Sequence, residues 1–321
     1  MPDAYNSTST LPNLVKAAYD RKMRLALRSI PTFRTLADTR PASQTNPGDS
    51  VAFHIHSDLA PVTTALNEIT EPDAVALSNP TPVSVTLAER GNYAVVTKRL
   101  QAFSLDDALN GNVGNILAYN MADSLDVVIE AVLAGTSNAV REISGTLTAG
   151  GALTGITASD TAKAKHFRYA ITKLRAGNVM PFRGDKYLVH VAPEVAHDLR
   201  VETGAASWRQ PSEYQSVEKI EAGEIGTFEG GIFIETPRCY SSQAGAGSGG
   251  TQVRVFRSYV NGKEALAEAV AEEPHVVLDG TIVDPLSRKT AMGWYGIIGW
   301  NLFRPQSLYK IETATTVRPT T

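Results

Sequence analysis

Cysteine is almost absent from this chain: Cys239 stands alone in 321 residues. No intramolecular disulfide can form, and a metal site made of several cysteines is excluded. No apolar run is long enough to cross a bilayer, and the opening MPDAYNSTST is polar where a secretory signal would be apolar. The expectation is a chain made in a cytoplasm, not exported by a cleaved signal, with no membrane partner. Charge of one sign is missing as well. A net charge of -3 and a pI near 6.1 lack the basic excess of a dedicated nucleic-acid binder. What is there, 43% hydrophobic and 20% charged residues, suits one large globular domain or two ordinary ones.

The most informative stretch is Ser104 to Gly135. Leu105, Leu109, Val113, Ile116, Leu117, Met121, Leu125, Val128, Ile129, Val132 and Leu133 recur at helical spacing. Ser104 is a suitable N-cap, Asp106 and Asp107 suit the first turn, and Gly135 suits a C-terminal stop. Gly111 and Gly114 each cost about 1 kcal/mol relative to alanine, which predicts a break dividing a short lead-in helix from the spine proper. From Asn112 the helix is roughly 35 Å long at 1.5 Å per residue. It carries nothing catalytic and reads as a beam, flexing at the glycine junction.

Around the beam the pattern alternates between extended and helical. Residues 1–10 read as a polar tail, and Leu11 to Arg28 as a helix with Lys16, Arg21, Lys22, Arg24 and Arg28 among its apolar positions. Pro31 ends it. Val51, Phe53 and Ile55 alternate in Ser50–His56, as do Val83, Val85 and Leu87 in Pro82–Glu89, with a turn expected at Arg90-Gly91-Asn92 before Tyr93–Thr97. The long connection over 57–82 marks residues 49–100 as an extended arm that needs a partner surface. Further on come a soft stretch at 143–157, a helix Thr161–Arg175 capped by Asp160, and a buried strand Lys186–Val191. Pro193 then opens a helix, and residues 204–222 are irregular. Residues 223–231 turn into Ile232–Pro237, the loop SSQAGAGSGG precedes a strand from Gln252, and Trp294–Phe303 suits a central strand. The class is α+β.

Each chemical motif has a plainer explanation. Gly245-Ala246-Gly247-Ser248-Gly249-Gly250 matches GxGxxG, but a strand rather than a helix follows, so no phosphate-binding helix end is supplied. His54 and His56 share a strand face without a third ligand. His166, His190, His197 and His275 are scattered, and His190 in an apolar strand suits a hydrogen-bonded structural histidine. Cys239 has no neighbour to lower its pKa. No GxSxG elbow occurs. Glu272, Glu273, Asp279 and Asp284 read as surface carboxylates, with Asp284-Pro285 a turn. No catalytic residue, cofactor-binding residue or metal ligand is assigned.

The order of elements then resembles a family. The tracts are Leu66–Pro72, Val83–Gly91, Leu188–Leu199, GEIGTFEGGIFIETP at 223–237, Tyr259–Leu266 and Asp284-Pro285-Leu286 before Gly293-Trp294. Together they resemble the major capsid proteins of tailed phages, in the branch typified by podophage N-four, over about residues 13 to 315. The resemblance implies the Hong Kong phage capsid-type fold: an N-terminal arm (1–48), an E-loop (49–100), a P-domain with the spine helix (101–180) and an A-domain (181–280). Residues 281–321 would return to the P-domain sheet and form the tail. It implies self-assembly into hexamers and pentamers of an icosahedral head around double-stranded DNA, in a virion assembled in the host cytoplasm. Scaffolding, portal or decoration proteins and nonspecific contact with packaged DNA are the implied partners. The lysine–asparagine cross-link of some members is carried to no residue here. An encapsulin-like cellular shell, a hydrolase using His/Asp groups after residue 160, and an adhesin-like binding module are the alternatives.

Overall fold

The computed structural model describes residues 31–41, 48–63, 65–66, 68–69, 74–103, 109–143, 145–150, 152–202, 224–239, 241–245, 253–280, 286 and 288–317. Alternation builds its first element. β2 (Ser50–Ile55) and β3 (Thr81–Thr86) pair antiparallel, with Val51 opposite Val85 and Phe53 opposite Val83. Directly paired residues share a sheet face, so one side of this ribbon is apolar. That side, with Leu87, packs on Ala267, Ala269 and Phe303 in a small core, the Phe53 and Phe303 rings 5.8 Å apart.

Ala267 and Ala269 belong to a four-stranded sheet ordered β1 (Ala37–Pro41), β12 (Leu266–Gly280), β13 (Lys289–Leu302) and β4 (Ala88–Thr97). Period-two alternation gives the sheet two dry faces. Ala267 and Ala269 meet the ribbon, while Leu266 and Val270 join the main core on the other side. There lies α2 (Leu109–Ala134), whose Leu117, Leu125, Ile129 and Leu133 are buried in the same cluster as Trp294, Ile298 and Trp300. Its burial on that face, rather than propensity, holds the helix.

The second sheet runs β6 (Thr146–Ala149), β5 (Ala139–Ile143), β14 (Leu308–Thr313), β11 (Val253–Asn261), β7 (Tyr187–Val191), β9 (Gly231–Glu235), β8 (Glu224–Phe228). On β11 it also carries β10 (Ser241–Gly245). β7 is buried at every residue and parallel to β9, and α4 (Pro193–Val201) lies between the two in sequence, with its proline in the first turn. α3 (Ala164–Ala176) contributes Phe167, 5.2 Å from the ring of Phe233. Residues 281–321 divide between the sheets, β13 in one and β14 in the other.

Several expectations change. No break occurs at Gly111 or Gly114: α2 runs through both, and a separate short helix, α1 (Lys98–Phe103), is described ahead of it. The glycine cost is local and small, and packing along the rest of α2 exceeds it. Ser104, Asp106 and Asp107 lie outside the described residues, as do Leu11–Arg28, 204–222 and Asp284-Pro285. Arg90-Gly91-Asn92 is not a turn but the middle of β4. Gly91 is needed for closeness instead, since a Cβ there would sit 2.6 Å from the Trp294 carbonyl oxygen. α3 starts at Ala164, later than expected. Asp160 accepts from the Thr157 amide at 2.8 Å, and the Ala164 amide donates to Glu202 at 2.8 Å. The soft stretch holds β6 and a 3-10 turn, and the first half of SSQAGAGSGG is β10, with residues 246–252 undescribed.

Candidate functional site and assembly surfaces

Among the described residues, no three His, Cys, Asp or Glu side chains gather as metal ligands. His54 and His56 are both exposed on the ribbon. Cys239 is buried, and burial, with Glu130 and Asp126 nearby, pushes its thiol well up. The glycine loop leads into β11, a strand, so the helix end that a dinucleotide phosphate needs is not there. An open cleft of about 250 Å³ is lined by Asp58, Asn178, Met180, Lys263, Arg304 and Ser307. Its Arg304 is paired with Glu264 at 2.9 Å. Among the described residues, no helix is long and apolar enough to cross a membrane.

The titratable groups instead rivet distant segments together. Glu268 on β12, fully buried, receives Arg34 Nη2 at 2.9 Å, Trp300 Nε1 at 2.7 Å and Thr39 Oγ1 at 3.3 Å. Glu312 on β14 receives Arg141 Nε at 2.5 Å and Arg257 Nε at 3.1 Å, with Lys310 Nζ at 3.9 Å. Burial, together with Arg257 and Arg141, lowers the Lys310 pKa, although Glu312 opposes that. Glu142 holds Lys165 at 2.5 Å and His166 Nε2 at 2.8 Å. His166 Nδ1 accepts from the Lys163 amide at 3.1 Å, which leaves the proton on Nε2 facing Glu142. Burial takes His166 down to about 4 against the pull of Glu142. His190 is also at about 4 from burial; Asn261 Nδ2 lies 3.5 Å from its Nδ1, and its Nε2 has no hydrogen-bond partner. Glu273 also pairs with Arg34, at 2.6 Å, on the surface. Sequence reading missed Arg34, Arg141, Glu268 and Glu312. For Glu268 and Glu312 the signal was a carboxylate set within a largely apolar strand pattern, as in ALAEAVA and LYKIET.

What remains for function is surface. On the connection between β2 and β3, Leu59, Val62, Leu66, Ile69, Val75 and Leu77 are 53% to 93% exposed. Apolar side chains gathered on one projecting segment mark an interaction surface. No Lys or Arg occurs between residues 57 and 80. β4 is an edge strand of its sheet and exposes Tyr93 and Val95.

Comparison with known proteins agrees with a chain built to meet copies of itself. A family model described as phage capsid protein matches residues 80–311. No curated protein matches the chain. Among solved structures, the capsid of Ralstonia phage GP4 superimposes with a TM-score of 0.75 at 14% identity, covering 94% of this chain and 96% of that one. The capsid of cyanophage Pam1 gives 0.67 at 16% identity, covering 99% and 100%. A chain of Mycobacterium phage Che8 gives 0.65 at 16% identity, covering 96% and 98%. The family match spans most of the chain, and the α+β architecture is that of phage capsid shells. The chain therefore belongs to the phage capsid protein family, as a major capsid protein: a structural subunit of an icosahedral head and not an enzyme.

Proposed function

We propose that the chain forms hexamers and pentamers that close into a head around double-stranded DNA, and that the connection between β2 and β3 joins one subunit to the next. The observation that carries this is the row of exposed apolar residues from Leu59 to Leu77. Burying each such side chain is worth about 1.5–3 kcal/mol, a gain that the isolated subunit forgoes. Repeated around a closed symmetric assembly, the gain is collected at every interface. In this reading residues 1–48 are the N-terminal arm and 49–100 the E-loop. Residues 101–180 carry the P-domain spine, 181–280 the A-domain, and 281–321 the return and tail. The two-stranded ribbon supports the E-loop, and α2 on the four-stranded sheet supports the P-domain.

The branch is that of podophage N-four, supported by the ordered tracts from Leu66 to Gly293. Assembly takes place in the host cytoplasm, with scaffolding, portal or decoration proteins as further partners. Contact with DNA is nonspecific, through the basic Leu11–Arg28 segment, because the subunit as a whole carries no cationic excess. Negative-stain microscopy of the expressed protein, alone and with the DNA-packaging genes of its neighbourhood, tests the reading. Closed particles, hexamers or pentamers are expected. A uniform small globule with hydrolytic activity would overturn it, and particles filled with a cargo enzyme would assign a cellular shell.

A further inference from the structure

The four-stranded sheet is covered unevenly. On the α2 side Met292, Trp294, Ile298 and Trp300 of β13 are all buried in the main core. On the other side β13 and β4 pair without a slip, Gly293 opposite Tyr93 and Ala291 opposite Val95, so these residues share the face of Ile297. Ile297 reaches the small core under the ribbon, and past it the face is open. Tyr93 is 71% exposed, Val95 44% and Val277, opposite Gly293 on β12, 37%. Cations frame this open end. Lys98 and Arg99 follow β4, while Arg288 and Lys289 lead into β13, and all four are exposed. The Lys98 amide donates to the Arg288 carbonyl at 2.8 Å, which brings the two pairs together. The carboxylates Glu89 and Glu272 lie at the closed margin, both opposite Ile297.

The connection between β2 and β3 is the counterpart of this surface. Its exposed apolar row from Leu59 to Leu77 is accompanied by Asp58, Glu68, Glu71 and Asp73, with no Lys or Arg between residues 57 and 80. It leaves from the opposite end of the same sheet. There Asn301 Nδ2 donates to the Ser84 carbonyl, and Asp58 shares the open cleft with Arg304. Asn301 and Gly293 are eight residues apart on β13, about 27 Å at 3.3 Å per residue. Both surfaces stay in solvent within one chain. Between two copies, a like-to-like contact sets cations on cations or carboxylates on carboxylates. A head-to-tail contact instead matches apolar to apolar and acid to base.

We infer that the open end of this sheet face, Tyr93, Val95 and Val277 with the cations at 98–99 and 288–289, receives the β2–β3 connection of a second copy. The contact is head-to-tail: each subunit gives one connection and receives another. Contacts of that kind close as rings when the rotation between neighbours permits. The inference rests on the reading that the connection joins subunits, and it names the surface that the connection meets.

The test reverses charge at the two ends of the full-length chain and follows assembly by electron microscopy and sedimentation. Lys98→Glu with Lys289→Glu is expected to cut the yield of rings and particles about tenfold or more, as is Glu68→Lys with Glu71→Lys. The chain carrying all four substitutions is expected to assemble again, because its reversed ends match each other. A variant that had merely misfolded is not rescued in this way. If the Glu68/Glu71 variant assembles normally, the connection does not join subunits and the underlying reading fails. If it does not assemble while the Lys98/Lys289 variant assembles like the natural chain, that reading stands and this receiving surface is overturned. Failure of the chain with all four substitutions overturns the head-to-tail pairing. A probe independent of charge is Tyr93→Cys, expected to react with a maleimide in the free subunit and to be shielded in particles. The buried Cys239 gives the unreactive background. Equal labelling of subunit and particle overturns the inference.

Discussion

Leu59, Val62, Leu66, Ile69, Val75 and Leu77 stand more than half exposed on the connection between β2 and β3, whereas Leu125, Ile129 and Leu133 of α2 are essentially dry. The two regions are similar in apolar content but place it oppositely. The body completes its contacts inside one chain, with Glu268, Glu312 and Glu142 each buried against its own cations. The connection leaves its described large apolar side chains in solvent and carries carboxylates without cations. If the connection joins subunits as proposed, stability and assembly are separable properties of this subunit: the first is held by the sheets and α2, the second would be held by the projecting segment. The ribbon base marks the border, where Asn301 Nδ2 donates to the Ser84 carbonyl at 2.8 Å and Phe53 meets Phe303.

The sharpest way to break this comparison is to charge the connection. Val62→Asp with Leu66→Asp is expected to abolish particles by electron microscopy while shifting unfolding by less than about 0.5 kcal/mol, the usual range for a surface change. A large loss of subunit stability would show that the two regions are not separable. The reverse experiment removes a buried partner. Glu312→Ala leaves Arg141 and Arg257 without their shared carboxylate and is expected to cost about 3–5 kcal/mol in urea unfolding.

Acid probes the body in a graded way. Burial holds His166 and His190 at about 4, below the unfolded value near 6.5. Between those values the unfolded chain takes up protons that the folded one refuses, so stability falls as pH drops through that window. The loss amounts to about 3 kcal/mol per histidine by pH 4. Asp126 and Glu130, raised by burial, bind protons earlier when folded and offset part of the loss. Unfolding midpoints at pH 7 and 4.5 are expected to fall with acid, and less steeply in His190→Gln; equal slopes would remove His190 from the account. Gly91→Ala places a methyl against the Trp294 carbonyl, 2.6 Å from the Cβ position, and is expected to cost about 1–3 kcal/mol. Gly114→Ala meets nothing within 4 Å in the second turn of α2 and is expected to gain about 1 kcal/mol, read as a higher thermal midpoint.

The elements legible beforehand were those whose period matched their environment. Val51, Phe53 and Ile55, then Val83 and Val85, alternate cleanly because one side of the ribbon is dry and the other wet. Pro193 at the start of α4 and Gly135 after α2 acted as local stops and starts. β12 was illegible, since LAEAVAEEPHVVLDG reads as charged surface until Arg34 and Trp300 are brought to Glu268. β14 was hidden similarly, its Glu312 answered by Arg141 and Arg257 from two other strands. Gly91 misled for a related reason: a glycine required by a neighbouring strand looks, in one dimension, like a turn.

Alone, the sequence determined the α+β class, the long helix, the extended ribbon with its apolar connection, and the absence of a catalytic signature. Each depends on residues near one another in the chain, through periodicity, capping and composition. The strand partners, the fate of the buried carboxylates and the open end of the four-stranded sheet were decided only in the folded chain. Those properties depend on which distant residues come together, and a buried charge is tolerable only where a partner from elsewhere arrives to meet it.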